Sequence, residues 1–191
     1  METSAVQGGL HAITGGLGGL GLRAAAMLIA DDATVVALTS RSGRVGRAGL
    51  DAQPTPLGAA ALLVACDVGD AADALSFLAH ATLTSVLHAA GVLRDKMLFS
   101  LATGDIEIVF APKAVGASHL LAAAMRTPLD ALGLFSSVAS AVGNVGQANY
   151  AAANAYLDTL GRLRRHHGAL GSSLQIPAVT GAGMGAATFD K

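Results

Sequence analysis

The chain has 191 residues, a formal net charge of −1 at pH 7, 52% hydrophobic residues and 13% charged residues. This length suits one domain with a real core, and the high apolar fraction argues against disorder. The sequence has no basic stripe, which argues against a nucleic-acid partner. Its single cysteine, Cys66, cannot form an internal disulfide, which indicates a reducing compartment.

The sequence shows no targeting or membrane signal. No apolar run approaches the ~20 residues that a membrane helix needs. The first residues lack the charged start and apolar core of a signal peptide. We therefore expect one domain over residues 1–191, without a membrane span, in the cytoplasm or an organelle interior.

Short apolar strands alternate with helical segments along the chain. The predicted strands are residues 10–14, 34–39, 61–66, 84–90, 131–137 and 172–177. The predicted helices are residues 19–30, 71–81, 105–125 and 146–166, and residues 42–60 are a predicted loop. Strands without polar alternation, joined by helices, indicate a parallel sheet that is covered on both faces. The predicted fold is α/β, a doubly wound sheet that binds ligands at the carboxyl ends of its strands.

A glycine-rich loop, TGGLGGLG at residues 14–21, follows the first strand and opens the first helix. Gly16, Gly18 and Gly21 match the pattern G-x-G-x-x-G of dinucleotide-binding proteins. Glycine lets the backbone approach a diphosphate, and the helix N-terminus supplies N–H donors and a positive dipole end. A tight turn without a ligand is the alternative.

The end of the second strand reads LTSRSG and has no acid where an NAD-specific site carries one. Arg41 lies 20 residues after Gly21, and its guanidinium can pair with a 2′-phosphate. This pattern favours NADP(H), while a surface arginine is the alternative. Asp67 after the third strand is predicted either to accept from the adenine amino group or to cap the next helix.

Two hydroxyl groups are candidates for catalysis. Tyr150 and Asn154 are four residues apart on one helix face, and Ser137 ends the fifth strand. Serine and tyrosine hydroxyls beside a nicotinamide indicate carbonyl reduction, in which the developing oxyanion needs a proton. A phenol with a pKa of ~10 needs a nearby ammonium to donate efficiently. This fold usually places that lysine four residues after the tyrosine, where this chain has Asn154.

The chain as a whole resembles the ketoreductase domain of modular polyketide synthases, a branch of the short-chain dehydrogenase/reductase superfamily. The matching stretches are TGGLGGLG, LTSR, CDV, HAAGVLRD, FAPKAVGASHL, LFSSVAS and GQANYAAANAYLD, which together span nearly the whole chain. In that family the lysine and asparagine positions are exchanged, so the resemblance implies that Lys113 supplies the ammonium.

The resemblance also implies the role of each site residue. Tyr150 donates the proton, Ser137 bonds the carbonyl oxygen, and Asn154 orients the relay. Lys113 lowers the pKa of Tyr150 and holds the nicotinamide ribose. No metal is implied. The predicted cofactor-binding residues are Thr14, Gly15, Gly16, Leu17, Gly18, Gly19, Leu20, Gly21, Ser40, Arg41, Asp67, Val68, Ala89, Ala90, Gly91 and Pro177.

The function that the resemblance implies is NADPH-dependent reduction of a β-ketoacyl thioester on acyl carrier protein, in polyketide or fatty acid synthesis. The expected partners are that carrier protein and neighbouring synthase domains. The alternatives are a free-standing 3-oxoacyl or carbonyl reductase and a non-catalytic structural module.

Two departures from the family pattern shape further expectations. Leu93–Asp95 reads LRD where members that give a D-hydroxyl read LDD, and the chain has no tryptophan to mark the opposite class. Ala152 stands where epimerising members carry proline. We therefore expect a D-hydroxyl without epimerisation. We also expect the chain to lack the lid helix and last strand of the family, and so to turn over weakly.

Overall fold

The structure is a computed structural model that describes residues 9–44, 57–79, 83–126 and 129–179. The strands are β1 (Leu10–Thr14), β2 (Val35–Ser40), β3 (Ala61–Ala65), β4 (Leu83–His88), β5 (Ala131–Ser137) and β6 (Ser172–Ile176). The helices are α1 (Gly19–Ala30), α2 (Ala71–Ala79), α3 (Thr103–Phe110), α4 (Gly116–Ala124), α5 (Ala139–Val142) and α6 (Ala148–His166). Short 3₁₀ turns cover Gly58–Ala60 and Leu98–Ser100.

The strands form a parallel sheet in the order β3-β2-β1-β4-β5-β6. The order reverses between β1 and β4, and this reversal opens a crevice at the carboxyl ends of the strands. The predicted doubly wound α/β fold is confirmed. The short helix α5 was not predicted, and residues 45–56 of the predicted loop lie outside the described residues.

Both faces of the sheet bury apolar side chains, because helices pack on each side. One face packs against α1, and its buried residues are Ile13, Leu17, Leu22, Ala25, Ala33, Val36 and Leu38. The other face packs against α2, α4 and α6, with a larger cluster that includes Val86, Leu120, Leu134 and Leu157. This two-sided core holds the ends of β1, β4 and β5 in fixed relative positions.

A π-helical turn, Ala111–Val115, interrupts the predicted helix 105–125 and joins α3 to α4. Pro112 lies in this turn, where it has no N–H and its ring disfavours a regular α-helical turn. The wider turn carries Lys113, whose side chain is buried. The proline therefore explains both the interruption and the local geometry from which Lys113 enters the protein interior.

The stretch Thr103–Ala124 bears on the expectation that the chain has no membrane span. Within the described residues it is the one helical stretch long and apolar enough to cross a membrane: it has 22 residues and contains an 18-residue window of mean hydropathy 1.3. Its length comes from α3, the π turn and α4 together, which the sequence pattern does not show as one apolar run. It packs against α2 and α6 and carries the buried Lys113, so we interpret it as a helix of the fold.

Candidate active site

Three of the four predicted catalytic side chains meet at one cleft at the carboxyl end of β5. The cleft has a volume of about 540 Å³ and is lined by Lys113, Ser137 and Tyr150. Ser137 is the last residue of β5, and Tyr150 lies in the first turn of α6. The fold therefore brings together residues that are distant in sequence, as the predicted tetrad requires.

Lys113 enters this cleft from the π turn. Its Nζ donates to the backbone oxygen of Phe135 at 2.8 Å and lies 5.3 Å from the centroid of the Tyr150 ring. Only 3% of the residue is exposed. Burial lowers the pKa of Lys113 to about 8, against an opposing effect from Asp158.

Asn154 lies one turn after Tyr150 and is completely buried. Its Nδ2 donates to the backbone oxygen of Tyr150 at 2.9 Å, and its Oδ1 is buried without a hydrogen-bond partner. The Ser136 hydroxyl donates to the backbone oxygen of Asn154 at 3.2 Å. Asn154 therefore joins the start of α6 to the end of β5 from behind the cleft.

The expected effect of Lys113 on Tyr150 differs from what the structure shows. Burial raises the pKa of Tyr150, hydrogen bonds from Asn154 and Ser137 oppose this, and the charge of Asp95 raises it further. The net direction is upward. The physical reason is that the Lys113 ammonium is engaged by the Phe135 oxygen and lies over the face of the ring.

The glycine loop is shaped by close backbone contacts. Gly15 has φ +64°, and a Cβ there would lie 2.6 Å from the Ala90 Cα. Gly16 and Gly21 are similarly crowded by backbone atoms. Gly18 differs, because it is exposed and a Cβ there would meet only the Gly15 oxygen, at 3.3 Å. Internal packing therefore explains three of these glycines, while Gly18 leaves room for a ligand to approach the backbone.

The loop fits the diphosphate of a dinucleotide for a second reason. Gly18 is the N-cap of α1, and no side chain makes a capping hydrogen bond there. The first N–H groups of a helix have no partner within the helix, and its N-terminus carries a partial positive charge. The N–H groups of Gly19 and Leu20 would hold the diphosphate of a nicotinamide dinucleotide at this end, whereas the Gly18 N–H donates to the Gly15 oxygen at 3.0 Å.

A second cleft of about 780 Å³ adjoins the first, with Leu93 lining both. Seven of the predicted cofactor-binding residues line it: Gly15, Ser40, Arg41, Asp67, Val68, Ala90 and Gly91. Thr39 Oγ1 and Ser40 Oγ are buried there without hydrogen-bond partners. Unpartnered hydroxyls in a cleft fit a polar ligand such as a ribose, so this cleft suits the adenosine half of the cofactor.

The remaining predicted cofactor residues lie in different surroundings. Leu20, Ala89 and Pro177 line the first cleft. Thr14 is fully buried and its hydroxyl lies 2.7 Å from His88 Nδ1, while Leu17 packs in the core beneath α1. The roles of these residues toward a cofactor stay predictions. Thr14 and Leu17 would act by shaping the loop, since neither side chain is accessible.

Asp67 does not cap the following helix. Its Oδ1 accepts from the Gly69 N–H at 2.9 Å, whereas Asp70 accepts from the N–H groups of Ala72 and Asp73 at the start of α2. Helix capping, the alternative for Asp67, is therefore carried out by Asp70. Asp67 lines the second cleft, where its role toward an adenine stays a prediction.

Two polar residues of the site, Gln147 and Asn149, were not predicted from the sequence. Asp95 accepts from Gln147 Nε2 at 3.0 Å, and Asn149 Nδ2 donates to the Arg94 oxygen at 3.0 Å. These bonds tie the LRD segment to Gln147, just before α6, and to Asn149 in the first turn of α6. Polar residues just before a helix are common caps, so the sequence alone does not distinguish this role for Gln147 and Asn149.

His88 holds the backbone of the site and does not line either cleft as the structure describes them. Its Nε2 lies 2.9 Å from the Lys113 backbone oxygen, opposite the contact of its Nδ1 with Thr14. Burial lowers the pKa of His88 to about 4, so the ring is neutral at pH 7.

Within the described residues, no group of three or more His, Cys, Asp or Glu side chains lies close enough to hold a metal ion.

The parallel sheet, the glycine loop and the Lys-Ser-Tyr-Asn set define a short-chain dehydrogenase/reductase type of oxidoreductase. The KR domain family model matches residues 9–181, and the chain belongs to this ketoreductase family. A solved short-chain dehydrogenase/reductase of Brucella melitensis shares the fold at 22% identity, with a TM-score of 0.79 over 94% of this chain and 76% of that one.

The more similar relatives are polyketide synthases. The chain is 43% identical over 174 residues to polyketide synthase GfsA of Streptomyces halstedii, covering 88% of this chain and 2% of that protein. It is 38% identical over 191 residues to mycoketide-CoA synthase of Mycobacterium tuberculosis, covering 93% of this chain and 4% of that protein. The chain therefore spans only a small fraction of the length of these relatives.

Solved ketoreductase structures agree with this assignment. A-type ketoreductases from a modular polyketide synthase match with 36% identity and a TM-score of 0.85 over 97% of this chain and 40% of that one. The predicted resemblance to polyketide synthase ketoreductases is thereby confirmed.

Proposed function

We propose that this chain reduces a β-ketoacyl thioester on acyl carrier protein to the β-hydroxyacyl form, with NADPH as the hydride donor, in polyketide synthesis. The observation that carries the proposal is the convergence of Lys113, Ser137 and Tyr150 on one cleft, which shares Leu93 with the second cleft. Neighbouring synthase domains are the proposed partners, as the relatives are multidomain synthases. The reaction class rests on the ketoreductase family.

The residues of the chain divide the proposed chemistry between them. The bound cofactor supplies a hydride to the carbonyl carbon. Ser137 donates a hydrogen bond to the carbonyl oxygen, and the Tyr150 hydroxyl gives that oxygen its proton as negative charge develops. Burial raises the pKa of Tyr150, which leaves the phenol protonated but makes it a weaker acid. The Lys113 ammonium, 5.3 Å from the ring centroid, would favour loss of that proton as negative charge develops on the substrate. Asn154 would hold the start of α6, which carries Tyr150, and Lys113 would hold the nicotinamide side of the cleft.

The preference for NADPH is proposed from Arg41 and Ser40. Both line the adenosine cleft at the end of β2, and no acidic residue stands between residues 37 and 42. An arginine beside a hydroxyl can bind a 2′-phosphate, whereas an NAD-specific site carries an acid at this strand end. A free ribose hydroxyl offers no charge to Arg41.

Replacing Arg41 tests this preference. We expect Arg41→Ala to weaken NADPH binding by about 10-fold to 100-fold, since a hydrogen bond to a charged group contributes about 1.5–3 kcal/mol. NADH binding should stay unchanged. Calorimetric titration of both cofactors gives the two dissociation constants.

The matched control is Arg44→Ala, which removes an exposed arginine three residues on that does not line the adenosine cleft as the structure describes it. It should leave both dissociation constants unchanged. An equal loss of NADPH and NADH affinity in Arg41→Ala would show that Arg41 does not read the 2′-phosphate.

The product of the reaction tests the proposed function directly. We expect consumption of NADPH with a β-ketoacyl thioester, and chiral analysis should give the D-hydroxyl with the α-substituent unchanged. This expectation rests on Asp95, which keeps the second acid of the LDD pattern; it lines the first cleft and accepts from Gln147 Nε2. An L-hydroxyl product would contradict the stereochemical part and leave the reductase itself standing.

The two alternatives make different predictions in the same assay. A free-standing carbonyl reductase would reduce simple ketones as readily as thioesters on the carrier protein. A non-catalytic module would consume no NADPH with either substrate. The complete tetrad argues against the non-catalytic alternative, and the exchanged lysine and asparagine argue against the free-standing group.

A further inference from the structure

Asp158 is a buried carboxylate on α6 to which no role has been given. It is 5% exposed and lies eight residues after Tyr150 and four after Asn154, so the three residues follow one face of α6. Tyr150 and Asn154 both lie beside the end of β5. Tyr150 lines the same cleft as Ser137, and the Ser136 hydroxyl donates to the Asn154 backbone oxygen.

The Asp158 carboxylate is held by donors from two further elements. Its Oδ1 accepts from Ser173 at 2.5 Å, and its Oδ2 accepts from Gln175 Nε2 at 2.8 Å, both on β6. Ser140 on α5 lies 2.6 Å from the same Oδ2 and 2.8 Å from the backbone oxygen of Ser137. One carboxylate therefore links α6, β6 and the segment that carries Ser137.

These contacts keep Asp158 ionised inside the protein. Burial alone would raise the pKa of Asp158, but the hydrogen bonds from Ser140, Ser173 and Gln175 hold it below its usual range. A buried negative charge needs a nearby positive one or strong donors. Among the described residues, the buried cation of this region is Lys113, whose Nζ donates to the Phe135 oxygen and makes no direct ion pair with Asp158. The charge of Asp158 nevertheless favours the charged form of Lys113.

We propose that Asp158 is a positioning residue of this site, which fixes the end of β5 that carries Ser137 and serves as the buried counter-charge of Lys113. Its effect on catalysis rests on the proposed function, whereas its effect on Lys113 does not. The titratable groups that face Lys113 in the described residues are Asp158 and Tyr150 from α6 and His88 from β4. The partners of Asp158 on α5 and β6 carry no charge.

Titration of Lys113 tests the proposal without any assay of activity. The chain has only three lysines, so ¹³C-labelled lysine gives three side-chain resonances, and Lys113→Arg identifies one of them. In Asp158→Asn we expect the titration midpoint of Lys113 to fall by about one pH unit or more, since an opposite charge has been removed. An unchanged midpoint in a folded variant overturns the proposal.

The matched control is Asp130→Asn, which makes the same chemical change at an exposed position before the other end of β5. It should leave the Lys113 midpoint where it is in the parent chain. A merely structural Asp158 would lower the melting temperature and leave the midpoint unmoved. The pH profile of reduction gives a second readout: its alkaline limb should shift to lower pH in Asp158→Asn.

If Asp158→Asn does not fold, Ser140→Ala decides, because it removes one link to the Ser137 backbone and keeps the charge. We expect the single-turnover rate of reduction to fall about tenfold, with the cofactor dissociation constant unchanged. An unchanged rate overturns the positioning role. If the parent chain shows no reduction at all, the proposed function fails, while the lysine titration still decides whether Asp158 is the counter-charge of Lys113.

Discussion

Tyr150→Phe is expected to reduce the rate of ketone reduction by at least about 100-fold, with little change in NADPH binding. Removal of a positioned proton donor costs typically 10²–10⁴-fold, because the developing oxyanion then has no acid beside it. The substitution keeps the ring that faces Lys113 and removes only the hydroxyl. Single-turnover oxidation of NADPH with a β-ketoacyl thioester measures the chemical step.

The chain contains its own matched control. It has only two tyrosines, and Tyr156 lies on the same helix six residues on, with its hydroxyl 2.7 Å from Ser118 Oγ. Tyr156 is 41% exposed and does not line either cleft as the structure describes them. Tyr156→Phe should therefore keep the parent rate. Equal rates in the parent and Tyr150→Phe would overturn the catalytic assignment of Tyr150.

Gly15→Ala is expected to destabilise the fold by about 2–5 kcal/mol and to weaken binding of the cofactor. Two costs add: the positive φ of +64° costs an alanine about 1–2 kcal/mol, and overpacking costs about 1–3 kcal/mol more. The new methyl would press on the backbone of Ala89 and Ala90, which lines the two clefts. Urea unfolding followed by circular dichroism measures the change, since the chain has no tryptophan.

Gly58→Ala separates these two costs. Gly58 has nearly the same φ, +61°, but a Cβ there would meet no atom within 4 Å among the described residues. It should lose only about 1 kcal/mol and keep full cofactor affinity. If the two variants lose equal stability, the contact between the glycine loop and the Ala89–Ala90 backbone is less tight than the structure indicates.

The sequence predicts the sheet well because its strands are short apolar runs set between helices. β1, α1 and β5 begin and end where predicted, because Gly and polar residues flank their apolar runs. The π turn at Ala111–Val115 was not predicted, since a proline in a helical pattern signals a disturbance without specifying its form. The short helix α5 was missed because four residues show no periodicity.

Some features of the candidate site could be predicted from the sequence, and others could not. The glycine loop and Arg41 follow from local patterns, whereas Lys113 was predicted only through the resemblance to a family. The upward direction of the Tyr150 pKa depends on burial, which no local pattern reports. Asp158 gave no signal at all, because its donors come from α5 and β6 and meet it only in the folded chain.

The π turn has a consequence for how the position of the lysine can change in a conserved fold. Residues of an α-helix are about 100° apart around its axis, so one added or removed residue rotates everything beyond it by that angle. The π-helical turn Ala111–Val115 changes the angle at which the residues after it project from the helix axis. α3 and α4 therefore each keep a buried face, while the buried Lys113 side chain lines the first cleft. Removal of one residue from the turn would realign the helix and rotate one of its two halves away from its packing partners. In this chain the buried position of Lys113 therefore depends on the irregular turn.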